Sequence, residues 1–214
     1  MILITYVQLV VKRWRMSMRI SNTQAFGFKA ALRAMRNPLD SWDRADTEFY
    51  GFDAPPHIGF KDLELARKLI KAGGEHRKFI RLIQVWATLE LPRYIWSEFD
   101  TYKVGMTRMS CSTMHKLGTR DLAQEDFAED SICDCSLKEL NALVTEYKET
   151  KNYNIVRKLK RKLPEGYIQR ADVNLNYETA FNMYKQRNNH RLEEWQEICD
   201  WLLDLPHFKA LIGA

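Results

Sequence analysis

A chain of 214 residues with 45% apolar and 29% charged residues has the balance of a folded protein and excludes a disordered one. Its length suits one domain of ordinary size with a real core. The net charge of +5 and pI near 9.0 favour an anionic partner such as a nucleotide, a nucleic acid or a further subunit, although 33 basic residues nearly balance 28 acidic ones.

The chain begins with an apolar run, Met1 to Val11, followed by Lys12-Arg13-Trp14-Arg15. A secretory signal carries its charges before the apolar run, so this order argues against one, and the run is too short to span a bilayer. Residues 1–16 therefore read as a buried strand. Phe26, Ala30, Ala31 and Ala34 recur at helical spacing and predict a helix from Thr23 to Met35, ended by Asn37-Pro38. Residues 37–60 hold Pro38, Gly51, Pro55, Pro56 and Gly59 and read as an irregular surface segment.

Asp62 to Ala72 reads as a helix with Leu65, Leu69 and Ile70 on one face and Gly73-Gly74 as its stop. Phe79 to Leu91 is rich in β-branched and aromatic residues and suggests a central strand leading to Pro92, with a short helix over Tyr94–Phe99. Ser136-Leu137-Lys138-Glu139 is a capping box that opens a helix to about Lys148. Further helices are expected over Asn154–Lys162, Leu175–Arg187 and Leu192–Leu203. The pattern predicts an α/β (α+β) fold: one domain over residues 1–214, a mixed sheet and flanking helices.

The cysteines are Cys111, Cys133, Cys135 and Cys199. Cys133-Asp134-Cys135 is too tight for the usual zinc-knuckle spacer, and no His/Cys pair follows it. Free thiols in a reducing cytosol are the simpler reading. No HExxH, paired-His or Asp-rich cluster supports a metal-dependent hydrolase, and no metal ligands are expected.

The helix expected from Leu175 carries the most informative pattern. Arg187 lies eleven residues beyond Asn176, about three turns, so both would point one way with Ala180 and Met183 between them. Such a stripe could seat a flat ligand, Asn176 bonding its edge and Arg187 holding a carbonyl or phosphate. The alternative is that Asn176 caps the helix and Arg187 pairs with an acid such as Glu193 or Glu194.

Leu163-Pro164, Arg170, Asn176, Asn182 and Arg187 resemble the C-terminal signature of the flavin-dependent thymidylate synthases: a Leu-Pro pair, an Asn, a second Asn and an Arg. From Pro164 onward the gaps are twelve, six and five residues. Trp195-Gln196-Glu197-Ile198 is similar to the family's closing helix. The resemblance implies that Asn176 and Asn182 touch FAD, that Arg187 holds the pyrimidine of deoxyuridylate (dUMP) as the catalytic residue, and that Lys160 or Arg161 meets the nucleotide.

Earlier in the chain, Gly73-Gly74-Glu75-His76 looks like the family's Gly-His segment, and Pro92 follows at a compatible distance. By that likeness His76 is a cofactor contact, and Glu98 falls where a nucleotide-contacting Gln is usual. The family's Arg-His-Arg reads Thr101-Tyr102-Lys103 here, so only Lys103 keeps a charge for the flavin. Ser110, Ser112 and Thr113, with Lys116, could hold a phosphate through hydroxyls, backbone N–H groups and one ammonium, and His115 could add a donor. The alternative there is a solvated turn.

Two functions remain open. One is an enzyme of this kind, which implies FAD, NADPH, methylenetetrahydrofolate, a pyrimidine nucleotide and a cytoplasmic homotetramer with no membrane contact. The other is a nucleotide- or nucleic-acid-binding protein without catalysis on the same scaffold. A divergent, phage-type or accessory member of the family would fit either function. The lost Arg-His-Arg and the basic run Arg157-Lys158-Leu159-Lys160-Arg161-Lys162 favour the second, unless that run is a solvated helix face.

Overall fold

The computed structural model describes residues 18–51 and 54–214, so the strand expected over 1–16 lies outside the described residues. In chain order the elements are β1 (Arg19–Phe26), α1 (Phe28–Ala34), α2 (Phe60–Ala72), β2 (Gln84–Pro92), α3 (Arg93–Phe99), β3 (Met106–Ser110) and α4 (Thr113–Lys116). They continue with α5 (Asp134–Thr150), α6 (Tyr153–Lys162), β4 (Ile168–Asn176), α7 (Tyr177–Arg187), α8 (Glu193–Leu203) and α9 (Phe208–Ile212). The strands pair in the order β1-β2-β4-β3. Backbone bonds from Tyr177 N–H to the Ile83 carbonyl and from Arg93 N–H to the Tyr167 carbonyl show that β2 and β4 run antiparallel. The fold is α+β, helices with an antiparallel sheet.

The chain divides into two compact units. The first holds residues 88–101 and 108–172 and, of the described residues, 18–22. Its helical part is organised by α5 and α6. Leu140 and Val144 of α5 meet Leu159 of α6, with Leu117, Leu122, Phe127 and Leu163 completing a dry cluster. Each fully buried aliphatic side chain of this kind contributes about 1.5–3 kcal/mol of transfer free energy. The opposite face of α6 presents Arg157, Lys158, Lys160, Arg161 and Lys162 to solvent, and its last-turn cations suit the negative end of the helix dipole. Lys162 pairs with Glu139.

The second unit holds residues 23–87, 102–107 and 173–214. Tyr177 is its aromatic hub, edge-on to Phe28 at 5.7 Å and to Phe208 at 5.4 Å, and its hydroxyl donates to the Pro206 carbonyl at 2.6 Å. Burial pushes that phenol well above its ordinary range. A second anchor is ionic. Arg36 and Asp62, 4% and 1% exposed, face each other at 2.6 Å. Arg36 also donates to the Ser41 carbonyl, and Asp62 accepts from the backbone N–H groups of Asp46 and Thr47. The described residues between 37 and 60 are thereby tied down by polar bonds and by an isolated bridge between Glu48 and His57. Among the described residues no helix is long and apolar enough to cross a membrane.

Four element boundaries correct the sequence expectations. The helix expected from Thr23 begins only at Phe28, because residues 19–26 are strand and Gly27 turns the chain at φ 96°. A Cβ at Gly27 would stand 2.1 Å from the Leu82 carbonyl oxygen, so the turn admits glycine alone. The strand expected from Phe79 starts at Gln84, after a 3-10 turn over Arg77–Leu82. The helix opened by the Ser136 capping box starts at Asp134 instead, with Cys133 as its cap. The helix expected from Leu175 starts at Tyr177, since β4 runs through Asn176.

Candidate functional site

The second unit brings Asn176 and Arg187 to the two ends of α7 and lays the segment 102–105 along that helix. Asn176 is the residue before the first turn. Its Oδ1 accepts the Thr179 N–H at 2.9 Å, the capping role left open by the sequence. Thr179 Oγ1 donates to the Val104 carbonyl at 2.7 Å. Gly105 adopts φ +74°, and a Cβ there would lie 2.2 Å from Asn176 Nδ2. The backbone thus approaches the helix N-terminus as closely as a missing side chain permits.

At the other end of α7 the Arg187 guanidinium is held by aromatic groups. Its Nε donates to the Tyr102 hydroxyl at 3.0 Å, and one terminal nitrogen lies 2.9 Å from His190 Nε2. It sits 4.6 Å from the ring centroid of Trp195 and 5.9 Å from that of Tyr102. Tyr102 and Trp195 meet edge-on at 6.0 Å. Arg187 is half-buried, so its charge is oriented by this cage and contacts of this type are worth about 0.5–2 kcal/mol each.

Asn182 faces elsewhere. Its Oδ1 accepts from Arg77 at 3.4 Å, beside Glu178, whose carboxylate receives Arg77 Nε at 3.1 Å and also Arg81 Nε. The Glu178 carboxylate raises Arg81 above its ordinary range, first through the hydrogen bond and then through charge. On an ideal helix Asn182 is rotated about 120° from the line joining Asn176 and Arg187. The two asparagines therefore do not share a side of α7. His76 is exposed at the start of the Arg77–Leu82 turn, and Lys103 is exposed within the 102–105 segment.

The remaining expected residues lie in the first unit. Glu98 is half-buried on α3, Ser110 ends β3, and Lys160 and Arg161 are exposed on α6. Ser112 caps the short α4, its Oγ accepting the His115 N–H at 3.3 Å, with Thr113 half-buried beside it. His115 and Lys116 are exposed.

Sequence reasoning missed the most organised cation of this unit. Arg108 lies 3.8 Å over the ring of Trp96, which is itself a buried core residue. Its terminal nitrogens donate to Asp100 at 2.6 Å and to Gln169 Oε1 at 2.9 Å, while its Nε is buried with no partner. Gln169 is fixed in turn by donating to the Cys111 carbonyl at 2.9 Å. No periodicity announces this arrangement, because Gln169 is 61 residues away in sequence. Among the described residues no group of three His, Cys, Asp or Glu side chains could hold a metal ion.

No protein-family model matches the chain, and no curated protein matches it in sequence. Solved structures do match its fold. The flavin-dependent thymidylate synthase ThyX of Helicobacter pylori, complexed with FAD and dUMP, is similar at TM-score 0.68 and 17% identity, over 89% of this chain and 96% of that one. A second structure of that enzyme with FAD and dUMP gives TM-score 0.65 and 18% identity over the same shares. The UMP/dUMP methylase PolB from Streptomyces cacaoi, bound with 5-Br dUMP, gives 0.59 and 12%, covering 92% of this chain and 94% of that one. The chain has the fold of the flavin-dependent thymidylate synthases.

Proposed function

We propose that residues 1–214 form one functional domain that binds FAD and a pyrimidine deoxynucleotide, dUMP before others, and modifies the pyrimidine. Methylation is the favoured reaction, with methylenetetrahydrofolate as carbon donor and NADPH as reductant. One observation carries the reading: nearly the whole chain follows the fold of an enzyme solved with FAD and dUMP, at TM-score 0.68. Likeness of fold alone leaves chemistry open, so the side chains have to supply the rest.

In the second unit, Arg187 is proposed to hold a pyrimidine carbonyl and to stabilise charge developing on the ring. Its guanidinium is already oriented by Tyr102 and Trp195, which lowers the ordering cost of binding. Asn176, Asn182, His76 and Lys103 are the proposed flavin contacts. The exposed Lys103 and His76 can meet phosphate oxygens, whereas Asn176 and Asn182, on different sides of α7, would have to meet different parts of the group. When bound, the flavin would supply the hydride chemistry, and the protein would orient and exclude water. In the first unit, Ser110, Ser112 and Thr113 are proposed phosphate contacts, with Glu98, Lys160 and Arg161 as further nucleotide contacts. A cytoplasmic homotetramer completes the proposal.

A second reading, nucleotide or nucleic-acid binding without catalysis, is favoured by one observation. Tyr102, in the middle of the replaced Arg-His-Arg, takes up the Arg187 guanidinium as a hydrogen-bond acceptor. Titration with FAD followed by the flavin's visible absorbance separates the two. Saturable binding with a shifted band, followed by turnover of dUMP when the co-substrates are added, supports the enzyme. Binding of dUMP with an unchanged flavin spectrum supports the second reading.

A further inference from the structure

The exposed turn that opens α5 brings two thiols into contact. Cys133 precedes the helix in extended backbone, at φ −89° and ψ 159°, and Cys135 is the second residue inside it. Two residues apart within a continuous helix, side chains point about 200° away from each other. The extended cap conformation instead folds the Cys133 side chain over the first turn, where its sulfur accepts the Ser136 N–H at 3.4 Å and lies 3.2 Å from Ser136 Oγ. The same geometry leaves Cys133 Sγ 2.6 Å from Cys135 Sγ. That is inside the separation of about 3.5–4.0 Å kept by most non-bonded heavy atoms. Both thiols are exposed, and the intervening Asp134 is turned away to accept from Gln124 Nε2 at 3.0 Å.

We propose that Cys133 and Cys135 are a redox-active dithiol that reduces low-molecular-weight disulfides by exchange. The Cys133 thiolate attacks one sulfur of the substrate, its S–S bond breaks, and one thiolate leaves and takes up a proton from water. A mixed disulfide remains on Cys133. Cys135 then gives its proton to water and attacks Cys133 Sγ, expelling the second thiolate, which is protonated. The substrate gains two electrons and two protons as two thiols, and the protein loses them as Cys133 and Cys135 are oxidised to a disulfide.

The surroundings suit the assigned order. Hydrogen bonds from Cys135 and then Ser136 hold the Cys133 thiol down to about 7, so about half of it is thiolate at neutral pH. A lower pKa also weakens the nucleophile, with a Brønsted slope of about 0.4–0.5, and the net gain over an ordinary thiol is only about threefold. Proximity is therefore the larger factor, since it makes the second step intramolecular. Cys199 makes a contrast: it is buried, and desolvation pushes its thiol up to about 11. Cys111, exposed and outside the pair, serves as an internal reference.

The test uses the full chain with glutathione disulfide, acid quenching and peptide mass spectrometry. The wild-type peptide carrying residues 133–135 is expected to lose two hydrogens and hold no adduct. Cys135→Ser is expected to accumulate glutathione on Cys133, about threefold faster than on Cys111. Cys133→Ser, which keeps a capping hydroxyl, is expected to modify Cys135 no faster than Cys111. Stable glutathione adducts on the wild-type pair without an internal disulfide overturn the proposal. So does equal reactivity of Cys133 and Cys111 in Cys135→Ser.

Discussion

Tyr102 and Arg187, 85 residues apart in sequence, are joined by a hydrogen bond of 3.0 Å from guanidinium to phenol. The bond ties the segment 102–105 to the C-terminal end of α7, as Thr179 and Val104 tie it near the N-terminal end.

Tyr102→Phe keeps the ring beside Trp195 and removes the hydroxyl, which accepts from Arg187 and donates to Gln186 Oε1. The expected loss is about 1 kcal/mol, because the arginine is half-buried and water can replace part of the bond. For a chain of this size that lowers Tm by roughly 2–4 °C. A double-mutant cycle with Arg187→Ala should return a coupling of about 0.5–1.5 kcal/mol in thermal melts. Strict additivity would mean that the two side chains do not act together.

Gly105→Ala tests the contact at the other end of α7. The new methyl group would strain a residue at φ +74° and drive against Asn176 Nδ2. Backbone strain of about 1–3 kcal/mol combines with a weakened cap worth about 0.5–2 kcal/mol. A melt unchanged within error would show that the close approach of Gly105 to Asn176 does not exist.

Asp62→Ala should be the most damaging of these single substitutions. It leaves the Arg36 guanidinium, 4% exposed, without its carboxylate and frees two backbone N–H groups. Removing one member of a buried pair costs about 3–5 kcal/mol. Thermal denaturation should therefore move down by roughly 6–20 °C. A fall of only a degree would place the pair in contact with water.

His207 gives stability a pH slope with a definite sign. Burial, its largest influence, lowers its pKa below the ordinary value of 6.5, and the charge of His57 acts the same way against a bond to Pro56. Its Nε2 is buried with no partner. The unfolded chain therefore binds a proton more readily than the folded one, so this contribution is present above pH 6.5 and is lost as pH falls through the folded pKa. His207→Asn keeps a residue tolerant of the positive φ of 59° and should flatten stability against pH just below neutrality. An unaltered slope in denaturant melts would assign the effect to another group.

Much of the helical content is legible in the sequence, and the reason is local. The helix over 153–162 shows Ile155, Val156 and Leu159 on one face, a basic opposite face and a Leu-Pro stop, and it forms where expected. The strand over 168–176 was not read from the sequence, although Ala171, Val173 and Leu175 alternate inward with Asp172, Asn174 and Asn176. The helical spacing from Asn176 to Arg187 masked that shorter period. Gly27 and Cys133 were not legible, because the turn at Gly27 depends on Leu82 and the cap at Cys133 on a backbone bend rather than on residue type. The site divides the same way. Asn176, Asn182 and Arg187 stand out by spacing, whereas the cage of Tyr102, His190 and Trp195 and the Arg108 platform depend on long-range packing.

The central claim is that the α7 guanidinium holds a pyrimidine nucleotide on this scaffold. Calorimetric titration of dUMP into the FAD-supplemented protein and into Arg187→Ala, with equal folding checked by circular dichroism, addresses it most directly. The account predicts saturable binding to the wild type and a loss of about 2–4 kcal/mol in the variant, roughly 30- to 1,000-fold in affinity. Identical isotherms for the two proteins, or no heat from either, would contradict it.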